Sequence, residues 1–150
     1  MKLKFLILFF IALAFAQKAT CQLYVQMSDS AGVWSKPQQF TYKAATGIEG
    51  TVQVRVKWIK RKSTTCFYEL EVTNVGSSEF RGVFHLSAKE MGAIPNVNNL
   101  SGNLKPNHYV SGKIEMRECW PKGAKTMTDI ERCMACAPKL YFAGNIIKIK

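Results

Sequence analysis

The chain has 150 residues, 21 of them Lys or Arg against 10 Asp or Glu, for a net charge of +11, and 47% are hydrophobic. That length holds one domain of ordinary size. A charged share of 21% with 11% aromatics excludes wholesale disorder, and ten glycines without a lasting heptad exclude collagen and coiled coils.

Residues 1–16 carry Lys2 and Lys4, then an unbroken apolar run from Phe5 that ends in Ala14-Phe15-Ala16. A charged start, an apolar middle and a small-residue exit make a secretory signal peptide. The run is shorter than the roughly 20 residues that a spanning helix requires. Cleavage is expected after Ala16, or as late as Cys21, leaving residues 22–150 as a single domain. Lipidation of Cys21 is a further route, although Lys18 and Thr20 depart from the aliphatic and small residues of a lipobox. Membrane attachment is expected only if Cys21 is lipidated. Losing Lys2 and Lys4 lowers the charge from +11 to +9, so the exported part stays basic. Basicity in an exported protein points to anionic glycans, anionic lipid headgroups or cell-wall polymers and away from nucleic acid, or serves solubility alone; the partner expected is an anionic glycan or a surface protein.

Residues 23–27 and 38–43 read as weak strands. The strongest signal follows, where Val52, Val54, Val56 and Trp58 alternate with Gln53, Arg55 and Lys57. Side chains alternate across a strand, so one face of this segment is buried and the other wet. Cys66, Tyr68, Leu70 and Val72 repeat the pattern after the polar stretch 61–65. The two form a hairpin. Opposed residue numbers that sum to 126 place Arg55 against Glu71, Lys57 against Glu69, Val56 against Leu70 and Trp58 against Tyr68. This register gains roughly 0.2–1 kcal/mol per opposite-charge pair. A sum of 128 stays open and pairs Lys57 with Glu71.

Asn74 to Ser78 is a turn. Phe80, Gly82, Phe84 and Leu86 mark another strand, and residues 91–107 a long loop rich in Gly, Pro and Asn that a short strand can cross. Val110, Gly112, Ile114 and Met116 form the next strand. Residues 126–136 are the one helix expected near the end, with Thr128 and Glu131 as a capping box. Residues 139–150 return to strand character, with Ile147 and Ile149 alternating against lysines. About seven short strands imply an all-β antiparallel sandwich with one short helix.

Three stretches, Leu70-Glu71-Val72-Thr73-Asn74-Val75-Gly76, Phe80-Arg81-Gly82-Val83-Phe84 and Leu104-Lys105-Pro106, resemble the immunoglobulin-like accessory modules of secreted and cell-surface proteins. The likeness spans roughly residues 50–117 and lacks the Cys…Trp…Cys spacing of antibody domains. It implies an immunoglobulin-like fold with a scaffold or adhesive role and carries over no catalytic residue.

Cys66, Cys119, Cys133 and Cys136 are disulfide candidates, since an oxidising compartment is expected outside the cell or in a periplasm. A bridge from Cys119 to Cys133 or Cys136 is favoured, with the remaining partner free to reach Cys66. The competing chemistry is Cys133-Met134-Ala135-Cys136 as a redox dithiol or part of a thiolate metal site. A helix start would activate such a thiol, whereas Cys133 falls late in the expected helix.

Neither His85 nor His108 has a serine or cysteine partner at a recognisable spacing, and no P-loop, GxGxxG or HExxH is present. No catalytic residue, cofactor or metal site is therefore expected. Arg55, Lys57, Lys60, Arg61 and Lys62 are the densest basic group, placed to dock on an anionic polymer or simply to keep a sheet edge solvated. Trp34 and Trp120 lie in loop-like stretches, where an indole either stacks on a sugar ring or caps the core.

Overall fold

The computed structural model describes residues 25–88, 100–117, 124–134 and 138–149. Residues 1–16, where a signal peptide is expected, and Cys21, Cys119, Trp120 and Cys136 lie outside these residues.

The chain is all-β, with seven strands and one short α-helix among the described residues. In order they are β1 (Gln38–Lys43), β2 (Glu49–Lys62), β3 (Thr65–Asn74), β4 (Ser78–Ala88), β5 (Leu100–Leu104), β6 (Tyr109–Arg117), α1 (Asp129–Met134) and β7 (Pro138–Lys148). Two antiparallel sheets face each other, one ordered β1-β2-β3-β6 and the other β5-β4-β7.

The alternation in the sequence explains the pairing of β2 with β3. Val52, Val54, Val56, Leu70 and Val72 are fully buried, and a slip of one residue would turn all of them to water. Each such side chain is worth roughly 1.5–3 kcal/mol when buried, far more than any charge pair on the outer face. Arg55 opposes Glu71, Lys57 opposes Glu69 and Trp58 opposes Tyr68, which is the 126 register. Past Trp58 a bulge at Ile59 shifts the sum by one, so Lys60 opposes Phe67 and Arg61 opposes Cys66. The hairpin closes tightly through Ser63 and Thr64, with Ser63 at a φ of 54°. Lys62 is thus the last residue of a strand, not part of the linker.

The second sheet presents Phe80, Phe84, Leu86, Leu100, Leu104, Leu140 and Ile146 to the first. Its centre is a row of glycines, Gly102, Gly82 and Gly144, in register across three strands. Phe80 and Phe142 stand diagonally across the Gly82–Gly144 pair, yet their rings meet at 5.0 Å, edge to face. A Cβ on Gly82 or Gly144 would strike the backbone of the facing strand, so this pair lets β4 and β7 run close together beneath the rings. Tyr42 of β1 joins this cluster from the opposite sheet, against Phe80, Phe84 and Phe142.

Several expectations need correction. Residues 25–28 form no strand. The helix is shorter than 126–136: a 3-10 turn covers Ala124–Thr126 and the α-helix begins at Asp129. Its capping box forms as expected, the Thr128 amide donating to Glu131 Oε2 at 2.7 Å. In β7 the core residues are Leu140 and Ile146. Ile147 pairs with Glu79, and Ile149 lies past the strand at 44% exposure, because the even-numbered Leu140 and Ile146 take the inner face. The short strand allowed within 91–107 is β5.

Candidate functional site

The outer face of the four-stranded sheet carries most of the predicted basic group. Arg55 donates to Glu71 through Nε at 3.0 Å and Nη2 at 2.6 Å. Lys57 Nζ lies 2.5 Å from Glu69. These neighbouring rungs satisfy the charges of both cations within the sheet. The row continues onto β6, where Lys113 is in register with Glu69.

Trp34 lies over these rungs. Arg55 sits 5.1 Å and Lys57 4.5 Å from its ring centroid, so one indole contacts two cations that are themselves ion-paired. The residues around Trp34 form a strap along β2 beyond the end of β1. The Gly32 amide donates to the Trp58 carbonyl and the Ser35 amide to the Val56 carbonyl, both at 2.8 Å. Ser35 Oγ accepts from the Val56 amide in return. The Gln38 side chain closes the strap: its Oε1 accepts from the Gln26 amide and its Nε2 donates to the Gln26 carbonyl, each at 2.7 Å.

The bulge at Ile59 divides the remaining cations. Lys60 stays on the outer face, 5.6 Å from the centroid of Phe67. Arg61 turns toward the core side and binds Asp129, at the start of α1, at 3.0 Å with only 16% of its side chain exposed. Lys62 is exposed at the end of β2, in register with Thr65. The five basic residues therefore occupy three settings: a paired ladder at Arg55 and Lys57, a structural contact at Arg61, and an open end at Lys60 and Lys62. The bulge gave no signal in the alternation, because Ile59 reads as an ordinary outward residue. Asp129 lies 68 residues from Arg61, too far for any local pattern to join them.

Comparison with known proteins returns nothing. No family model, curated protein or solved structure matches this chain.

Cys66 and Cys133 form a disulfide that joins β3 to α1, with Cα atoms 5.8 Å apart. This bond overturns the expected Cys119–Cys133 bridge and agrees with Cys66 as the partner of Cys133; Cys119 and Cys136 lie outside the described residues. Both sulfur-bearing residues are buried, Cys66 fully and Cys133 to 1% exposure. The Tyr68 hydroxyl donates to the Cys133 carbonyl at 2.8 Å, and burial pushes its pKa upward, so it remains protonated as a donor. A six-residue helix has little stability alone; here the disulfide, Tyr68 and Arg61 hold it against the hairpin. The bond fits an oxidising compartment. His108 rests on the turn before β6 with Nδ1 2.9 Å from the Pro106 carbonyl, and among the described residues no group of three or more His, Cys, Asp or Glu side chains is placed to hold a metal ion.

Proposed function

We propose that this protein is a non-catalytic, exported or surface-attached immunoglobulin-like binding module that contacts an anionic glycan through the Lys60 and Lys62 end of its four-stranded sheet. The observation that carries this reading is charge accounting along the face. Arg55, Lys57 and Arg61 each spend their charge on a glutamate or aspartate of the protein. Lys60 and Lys62 are exposed and form no ion pair among the described residues. A basic exported chain with free cations at a strand end favours acidic polymers through a screened, salt-sensitive attraction.

The topology supports the immunoglobulin-like part of the reading. In constant-type immunoglobulin domains, strands A, B and E share one sheet, and C and F share the other. Taking β2, β3 and β6 as A, B and E, and β4 and β7 as C and F, reproduces those neighbours, with β1 and β5 as edge additions. Asn74 ends β3, and Leu104-Lys105-Pro106 opens the turn into β6, where the resemblance expects them. The leader-like residues 1–16 and the disulfide support export to the cell exterior or a periplasm. A thiol-disulfide or metal-binding role for Cys133 and Cys136 would first require the buried Cys66–Cys133 bond to open.

Retention on immobilised heparin at about 0.15 M salt tests the reading, because attraction at that ionic strength reaches only about 8 Å. The Lys60→Ser, Lys62→Ser protein is expected to elute at clearly lower salt, and Arg61→Ser to lose stability instead. Equal retention of the double variant and the parent would overturn the assignment.

A further inference from the structure

We propose that the cavity inside the Gln26–Gln38 strap is a saccharide subsite that takes one neutral, hydroxyl-rich pyranose ring, with Trp34 as stacking platform, Asp29 as hydroxyl acceptor and Lys36 as donor.

The cavity measures about 340 Å³ and is bordered by Asp29, Trp34, Ser35, Lys36 and Gln38, with Met27 adding apolar surface. That is the small end of the roughly 300–1,000 Å³ range of ligand pockets, a size for one or two rings and not for an extended chain. Its walls are prepared in advance. Gln38 spends both ends of its amide on the Gln26 backbone. Ser35 Oγ is spent on the Val56 amide and the Lys36 carbonyl. Trp34 is backed by Arg55 and Lys57, each anchored by its own glutamate. A ring fixed before binding loses little freedom when a ligand arrives.

The Gln26 side-chain amide, Asp29 and Lys36 remain for a ligand, while Ser28 Oγ accepts from the Ser30 amide at 3.4 Å. Asp29 and Lys36 are exposed, and neither makes a side-chain hydrogen bond or ion pair among the described residues. A carboxylate only accepts and an ammonium only donates. Together with an indole, they match a molecule that offers hydroxyl donors, hydroxyl acceptors and an apolar C–H face. A simple anion would meet Asp29 at the rim, a cation would meet Lys36, and a hydrocarbon would leave both charges without partners. The pair is neutral overall, so it adds no net attraction for a charged sugar. This site is separate from the Lys60 and Lys62 end of the sheet and does not depend on it.

Saturation-transfer NMR and calorimetry on the full exported protein test the proposal, using the methyl glycosides of glucose, mannose, galactose and N-acetylglucosamine. At least one is expected to bind with a dissociation constant below about 10 mM, ordinary for a single sugar unit. Asp29→Asn and Lys36→Ser are each expected to weaken that binding about tenfold, the usual cost of losing a charge-assisted hydrogen bond. Both positions are exposed and unpaired, so these variants keep the fold, and their heparin retention relative to the parent separates this site from the basic end. Trp34→Leu is expected to abolish sugar binding, while Trp34→Phe retains part of it. If all four glycosides fail to bind, or bind the Asp29 and Lys36 variants as tightly as the parent, the subsite does not exist.

Discussion

The side-chain amide of Asn74 donates to the Leu104 carbonyl at 2.9 Å, tying the end of β3 in one sheet to the end of β5 in the other. The same nitrogen donates to the Ser78 carbonyl at 2.7 Å, and Oδ1 accepts from the Gly76 amide at 3.0 Å. The Gly76 amide also donates to the Thr51 carbonyl at 3.1 Å, so it is the two carbonyls that draw on the fully buried Asn74 at the corner where the chain crosses between sheets. Asn74→Ala leaves those groups without their partner, and each unmade buried bond costs about 1–3 kcal/mol. The expected loss is at least about 2 kcal/mol, read as a lower urea midpoint with an unchanged slope. Asn74→Asp should be no better, since it turns an acceptor toward two carbonyls.

The Cys66–Cys133 bond closes a span of 67 residues. In the chain-entropy account a loop of that length stabilises the fold by about 4 kcal/mol. The Cys66→Ala, Cys133→Ala protein should show a matching loss in chemical denaturation. Amide exchange should rise first in residues 129–134, because Arg61, Tyr68 and the packing of Ile130 must then hold a helix of about one and a half turns without its covalent tie. Uniform exchange across the sandwich would contradict this division.

Gly82 and Gly102 separate two glycine requirements within one row. A Cβ on Gly82 would stand 2.2 Å from the Ala143 carbonyl oxygen and 2.7 Å from Gly144 Cα, both backbone atoms that cannot give way. Gly102, at a φ of 143°, has nothing within 4 Å of the same added carbon. Gly102→Ala should therefore cost only the backbone strain, about 1–3 kcal/mol. Gly82→Ala should cost more and distort the pairing of β4 with β7. Denaturation midpoints for the two proteins, with NMR shifts of Phe80 and Phe142, check the order.

Glu131 has its pKa held below the usual glutamate range, first by the hydrogen bond from the Thr128 amide and then by the Thr128 hydroxyl. A depressed folded-state pKa means the capping contact is complete above the unfolded value and is lost as pH falls through the folded value. The Thr128 amide shift should follow this titration, with a midpoint below that of an ordinary glutamate. Glu131→Gln should remove the pH response while leaving α1 in place.

The ladder rungs are exposed enough for salt to weaken them. Glu71→Gln should cost about 0.5–1 kcal/mol at low ionic strength, less at 1 M salt. Urea titrations at the two salt concentrations measure the difference.

Alternation carried the sandwich and the hairpin, because burying every second residue of Val52–Trp58 and Cys66–Val72 outweighs any competing arrangement, and the charges of Arg55, Lys57, Glu69 and Glu71 chose its register up to Trp58. The capping box at Thr128 and Glu131 was equally legible, being a contact over three residues. What local pattern could not reach were contacts whose partners lie far apart along the chain or in the turn of a single residue. The bulge at Ile59 reversed the face of Arg61 and broke one basic run into a paired ladder, a helix tether and an open end. Asn74, read as part of a turn, became the buried corner between sheets because its neighbours in space come from β4 and β5. The Trp34 strap had no periodic signal, since its order comes from Gln38, Arg55 and Lys57 and not from its own residues. Sequence determined which residues must be buried, as that is a property of each side chain and its spacing. Tertiary structure decided which charges remain free, since neutralisation depends on distances that only the packed sheets set.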